Sequence, residues 1–267
     1  MAEIQPMEQF LIQKVAWLPS FGVTVPGLGY VDLSITNSVA TMIFAAALIC
    51  VFFLAAGRGK VVPGRLQAFG EILYDLADKG LTGPMIGDRG RPFLPYVFTL
   101  FCMIAVLDIW GLVPGQFTVT SQLSVTVTLA ILTFLIVLTV GFMRNGLGFF
   151  KLFVPGGVHW GMLFILVPIE MISFLVRPVT LSMRLFGNMI GGHVVMYMFA
   201  SFVVGMAVFA LHVGGIANLG FLGSALSLFM VVALFALELI VAFLQAFVFA
   251  ALTCTYLSDV VNLDHGH

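Results

Sequence analysis

Five apolar runs, each long enough to cross a bilayer, occupy most of this 267-residue chain and leave it few ways to fold. A spanning helix takes about 20 mostly apolar residues at a rise of about 1.5 Å per residue. Residues 35–56, 92–114 and 121–142 each supply one such length, whereas residues 160–211 and 222–257 supply more than an upright helix can use. No clear turn interrupts either of the last two. Each therefore reads as one long, steeply tilted helix, and the chain reverses between them at HVGGIANLG, residues 212–220. Between the first two runs, Leu66, Phe69, Ile72, Leu73, Leu76 and Ala77 recur at helical spacing against Glu71, Asp75, Asp78 and Lys79. That pattern predicts an amphipathic helix on the membrane surface within residues 57–91. The expected fold class is an all-α polytopic membrane protein, a single integral membrane domain over residues 1–267. It would have about five membrane helices and an outer N-terminal segment at 1–34, with the last two helices packed as an antiparallel hairpin.

Composition narrows the function. Hydrophobic residues make up 61% of the chain and charged ones only 9%, far from a soluble domain's balance. A net charge of -1 without a basic patch excludes nucleic acid as a partner and leaves membrane lipid as the expected surroundings. Cys50, Cys102 and Cys254 lie singly in apolar runs, so they read as packing residues, and no spacing suggests a metal site or another cofactor. The N-terminus carries Glu3 and Glu8 in a broken apolar run, unlike a cleaved signal peptide, so the first spanning helix is expected to drive insertion. Arg58, Lys60, Arg65, Lys79, Arg89 and Arg91 lie between the first two spans, and Arg144 and Lys151 follow the third, while the alternate loops carry none. These charges mark the inside, which puts the N-terminus outside and the C-terminus inside; Lys14 alone opposes this arrangement.

Polar residues at membrane depth are then the candidates for function. Asp108 is either an interfacial carboxylate near the outer end of its span or part of an ion path. Arg177 precedes Pro178 and suits a helix end or a snorkelling side chain; Glu170, seven residues earlier, shares its face and can neutralise it. Arg184 is deeper, where an arginine costs at least about 2.5 kcal/mol and stays charged, since burial does not readily deprotonate it. A fixed positive charge is the property in use. In an antiparallel hairpin centred near residue 215, Arg184 faces Gln245 and His193 faces Glu238. Nine residues separate Arg184 from His193, about 180° around the helix, so either the helix bends at Gly191 and Gly192 or the two serve different surfaces. A His and a Glu side by side form either a proton wire or a plain interhelical hydrogen bond.

Two stretches carry a family resemblance. RPVTLSMRLFGNMIGGH, residues 177–193, resembles the signature of the a subunit of F-type ATP synthases, and ELIVAFLQAFVFAALTCTYLSDVV, residues 238–261, resembles that family's last helix. The order of elements matches over nearly the whole chain, the first 30 residues and the surface helix only loosely. The resemblance implies a non-catalytic, ion-translocating stator subunit in which Arg184 is the essential arginine facing a rotating c-subunit ring and Asn188 and Gln245 line its surroundings. His193, Glu238 and Asp108 would then belong to an outer proton path, and Glu170, Tyr256, Ser258 and Asp259 to an inner one. It also implies partnership with peripheral-stalk b subunits and the other ATP synthase subunits, in a bacterial inner membrane. Some bacterial members carry glutamate where this chain has His193 and histidine near Glu238; the exchanged pair seen here is the mitochondrial arrangement. Two other classes fit the chain less well. A secondary transporter should show repeated architecture with broken helices in matching halves, and a structural subunit with a polar helix seam would not depend on Arg184. HExxH and GxSxG are absent, and GRGK at residues 57–60 is no P-loop.

Overall fold

The computed structural model describes residues 22–25, 29–32, 34, 36–57, 64–113, 115–154, 160–213 and 217–262. The expectations for Lys14, Arg58, Lys60, residues 263–267 and most of segment 1–34 lie outside the described residues, as do the side chains of Lys151 and His212. A small antiparallel hairpin comes first, β1 (Gly22–Val25) pairing with β2 (Gly29–Asp32), Gly22 opposite Asp32. Strands this short carry too little alternation to be read from a sequence. The elements after it, among the described residues, are helical: α1 (Asn37–Ala56), α2 (Arg65–Ala77), α3 (Gly83–Ile86), α4 (Leu94–Gly111), α5 (Leu123–Asn145), α6 (Trp160–Val213) and α7 (Ala217–Val261), with short 3-10 and π-helical turns between some of them. Five of these helical stretches are long and apolar enough to span a membrane, Asn37–Ala56, Arg89–Gly111, Leu123–Asn145, Gly161–Leu211 and Gly220–Val261.

Apolar side chains cover every side of α1, and most stay exposed, Val51 and Leu54 among them. A helix with lipid around it needs no polar face. The surface helix is α2, which carries Phe69 against Phe52 of α1. Its polar side is braced by Lys79 donating to Asp75 at 2.6 Å, a bond that holds the lysine above its usual 10.5. The helix does not run through the whole of 57–91: it gives way to a π-helical turn at Asp78–Thr82, then α3, then a 3-10 turn at Asp88–Phe93. Gly87, at φ 75, makes the break between the last two, a backbone conformation that side chains disfavour.

Lengths decide the rest. With 54 and 45 residues, α6 and α7 are about 80 and 68 Å long, more than twice the hydrocarbon thickness, so neither can stand upright in a bilayer. Pro168 and Pro178 sit inside α6 without ending it, as membrane helices allow when neighbours satisfy the freed carbonyls. The core lies where α4 and α5 meet α7. Ala242, Ala246, Ala250 and Cys254 recur every fourth residue along α7 and are fully buried, a narrow seam that lets helices approach closely. Phe101 and Ile104 of α4 fill the space around it. Gly141 completes the fit at the other end: a Cβ there would lie 2.8 Å from Val260 of α7.

Candidate functional site: a buried acid and histidine cluster behind an exposed arginine

One cluster assembles where four elements converge. The end of α4 supplies Asp108 and Gly111, the 3-10 turn Val119–Ser121 and the residue before it supply Thr118 and Thr120, α6 supplies His193, and α7 supplies Glu238. His193 Nε2 lies 3.8 Å from Glu238 Oε1, as the hairpin register predicts. Room for that carboxyl comes from Gly192, where a Cβ would sit 2.7 Å from the Glu238 Cδ. Thr118 Oγ1 lies 3.2 Å from His193 Nε2 and donates to the Gly111 carbonyl at 3.2 Å. Asp108 is fully buried, and its carboxyl, like that of Glu238, has no hydrogen-bond partner among the described residues. The Thr120 hydroxyl neighbours Asp108 outside direct bonding geometry. A cavity of about 320 Å³, lined by Gly111, Gln116, His193, Tyr197, Val231 and Phe235, reaches the histidine. Polar groups this enclosed are costly unless proton or water exchange serves them.

Arg184 occupies the opposite side of α6. It is exposed, whereas His193 is 3% exposed, so the two serve different surfaces and no bend at Gly191 and Gly192 is needed. Thr180, Gly187, Asn188 and Gly191 share the open face. No described residue lies within 4 Å of where a Cβ would sit at Gly187 or Gly191, which leaves the surface beside Arg184 low. No ion pair of Arg184 forms among the described residues. Gln245 of α7, placed opposite Arg184 by the hairpin register, accepts from Asn188 Nδ2 through its Oε1 at 2.8 Å. Arg184 and Asn188 are one turn apart on one exposed face, and the Asn188 amide reaches across to α7. Gln245 is 4% exposed, and its Nε2 has no partner among the described residues.

A third group closes the far end of α7. Arg177 Nη1 donates to Asp259 Oδ2 at 2.8 Å and its guanidinium lies 4.8 Å from the Tyr256 ring and 5.3 Å from Phe174. Arg177 therefore pairs across the hairpin and not with Glu170: a carboxylate and a tyrosine face from α7, with Phe174 of its own helix, hold the cation. Glu170 stays half-buried apart from this group. Nearby, Asn145 donates to the Val260 carbonyl at 2.7 Å and Asn262 to that of Ile86 at 3.3 Å, tying the end of α7 to two neighbours. Thr118, Gly111 and the two asparagines are absent from the candidates read off the sequence. The threonines in FTVTSQ, residues 117–122, were the available signal.

These features define a polytopic membrane protein whose two longest helices enclose titratable groups on one side and present a fixed charge on the other. The family described as ATP synthase A chain matches residues 39–258. Proteins named ATP synthase subunit a are similar over nearly the whole length: that of Rhodopseudomonas palustris (strain BisB18) is 44% identical over 263 residues, 98% of this chain and 100% of the relative. That of Mesorhizobium japonicum is 46% identical over 267 residues, 98% of each, and that of Nitrobacter hamburgensis is 44% identical over 263 residues, 98% of this chain and 100% of the relative. The chain belongs to the ATP synthase A chain family.

Proposed function

We propose that this chain is the stator channel of an F-type ATP synthase in a bacterial inner membrane, with its N-terminus outside and its C-terminus inside, working against a rotating c-subunit ring and held by b subunits of the peripheral stalk. The observation that carries this reading is the division of α6 into two faces, Arg184 on the open one and His193 on the enclosed one. A proton from outside enters through the cavity beside His193, passes among His193, Glu238 and Asp108, and reaches a ring carboxyl. That carboxyl must be neutral to travel through lipid, because an ionised carboxylate there is too costly. Arg184 attracts the deprotonated form as it arrives, and being permanently charged it blocks protons from crossing directly between the outer and inner paths. Asn188 and Gln245 keep its surroundings polar. Release to the inside runs past Glu170, Tyr256, Ser258 and Asp259. Rotation is then the only conducting route, and a membrane potential adds about 2.3 kcal/mol per charge per 100 mV to it.

The test is Arg184→Ala in the assembled complex, reconstituted in vesicles, with ATP-driven acidification as the readout. The proposal expects no coupled pumping although the c-ring still copurifies. Normal pumping would leave a structural subunit with a polar seam as the better description.

A further inference from the structure

We infer that Thr118 is a positioning residue that decides which nitrogen of His193 carries the hydrogen and so aims the imidazole at Glu238. This rests on the reading of His193 and Glu238 as part of the outer proton path. A threonine hydroxyl has one hydrogen to give and two lone pairs to offer. The hydrogen of Thr118 is committed to the Gly111 carbonyl at 3.2 Å. That carbonyl belongs to the last turn of α4, where carbonyls lack an intrahelical donor, so releasing it would strand a buried acceptor. What Thr118 presents to His193 Nε2, at 3.2 Å, is therefore a lone pair. Only a nitrogen bearing hydrogen fits there; the other tautomer would set lone pair against lone pair. Glu238 Oε1 lies 3.8 Å from the same nitrogen, so a shift of about 1 Å carries the Nε2 hydrogen from Thr118 to the carboxyl.

The loop is built to hold this hydroxyl in place. Thr118 is 3% exposed, and Ser121 Oγ donates to the Thr118 carbonyl at 2.7 Å, which pins its backbone. Gly111 leaves the space the threonine fills, for a Cβ there would come 2.8 Å from Thr118 Cγ2. The enclosed side of α6 thus has a fixed acceptor and a mobile one for the same N–H.

The experiment uses the whole complex with 15N-labelled histidine, the His193 signal being isolated by subtracting the spectrum of His193→Ala. The inference expects His193 to be protonated at Nε2 in the natural chain and in Thr118→Ser, and to lose that preference in Thr118→Val. ATP-driven pumping should fall about 3- to 10-fold in Thr118→Val, the scale of one lost hydrogen bond, and stay within about twofold in Thr118→Ser. Gly111→Ala should act like Thr118→Val. Retention of the Nε2 hydrogen in Thr118→Val overturns the assignment whatever the pumping rate. A lost preference with unchanged pumping overturns the aiming of the proton at Glu238, as does an equal fall in the serine and valine variants. Normal pumping in His193→Ala would instead defeat the outer-path reading, while the spectrum still decides the tautomer.

Discussion

The two sides of α6 solve opposite problems with charge. On the enclosed side, His193, Glu238 and Asp108 are 3%, 4% and 0% exposed, and the two carboxyls have no hydrogen bond among the described residues. On the open side Arg184 is exposed, has no ion pair among the described residues and stands beside two glycines with empty space in front of them. Groups that exchange protons need shelter and a controlled path. A group that must never lose its proton needs instead an unobstructed view of its partner, and arginine is the side chain that keeps its charge there. The difference teaches that conduction and blockade are separable in this chain and should fail separately.

Substitutions can break that separation in order of expected size. Arg184→Ala removes the exposed fixed charge on the open side and should abolish coupled pumping. Glu238→Gln removes an acid that takes up and gives back a proton; pumping should fall on the order of 100-fold, the usual scale for such a group, with the complex intact. Gly192→Ala pushes a Cβ against the Glu238 carboxyl. Overpacking of this kind typically costs about 1–3 kcal/mol, and a fall of about tenfold in pumping is expected without loss of assembly. Arg177→Ala breaks a pair whose side chains are 24% and 34% exposed, so pumping should change by no more than about threefold, as for a pair still reached by solvent. Lys79→Ala removes a fully exposed bond whose contribution is present below the usual lysine range and lost as pH rises through the raised value; neither pumping nor assembly should respond. A large effect of Arg177→Ala on pumping would show that its pair with Asp259 controls release past the far end of α7 and does more than hold the helices together.

Much of this was legible in the sequence because the bilayer imposes a coarse rule. Apolar length alone marks the five spans, and the absence of any turn signal in residues 160–211 correctly yields one continuous helix. The pairing of His193 with Glu238 follows from counting back from the reversal. The same count puts Arg184 at the depth of Gln245, but it does not reveal that Asn188, one turn along α6, donates to that glutamine, because a register gives depth and not which side chain reaches across. Arg177 escapes for a related reason, since spacing along one helix cannot see Asp259 arriving from another. Thr118 was hidden because a short polar loop between two spans reads as a mere connection. Its importance comes from the last carbonyls of α4, which must find a donor, and from Gly111, which lets the loop fold back.

Passive proton conduction is the measurement that bears most directly on the separation of the two faces. Vesicles holding the assembled complex, without nucleotide, would be given an imposed pH difference and their proton flux followed for the natural chain, Arg184→Ala and His193→Ala. The account predicts that Arg184→Ala conducts at least as well as the natural chain while pumping nothing, because a barrier has gone and a path remains. His193→Ala should lower conduction and pumping together. If Arg184→Ala lost passive conduction along with pumping, the arginine would belong to the path itself, and the assignment of conduction and blockade to opposite faces of α6 would be wrong.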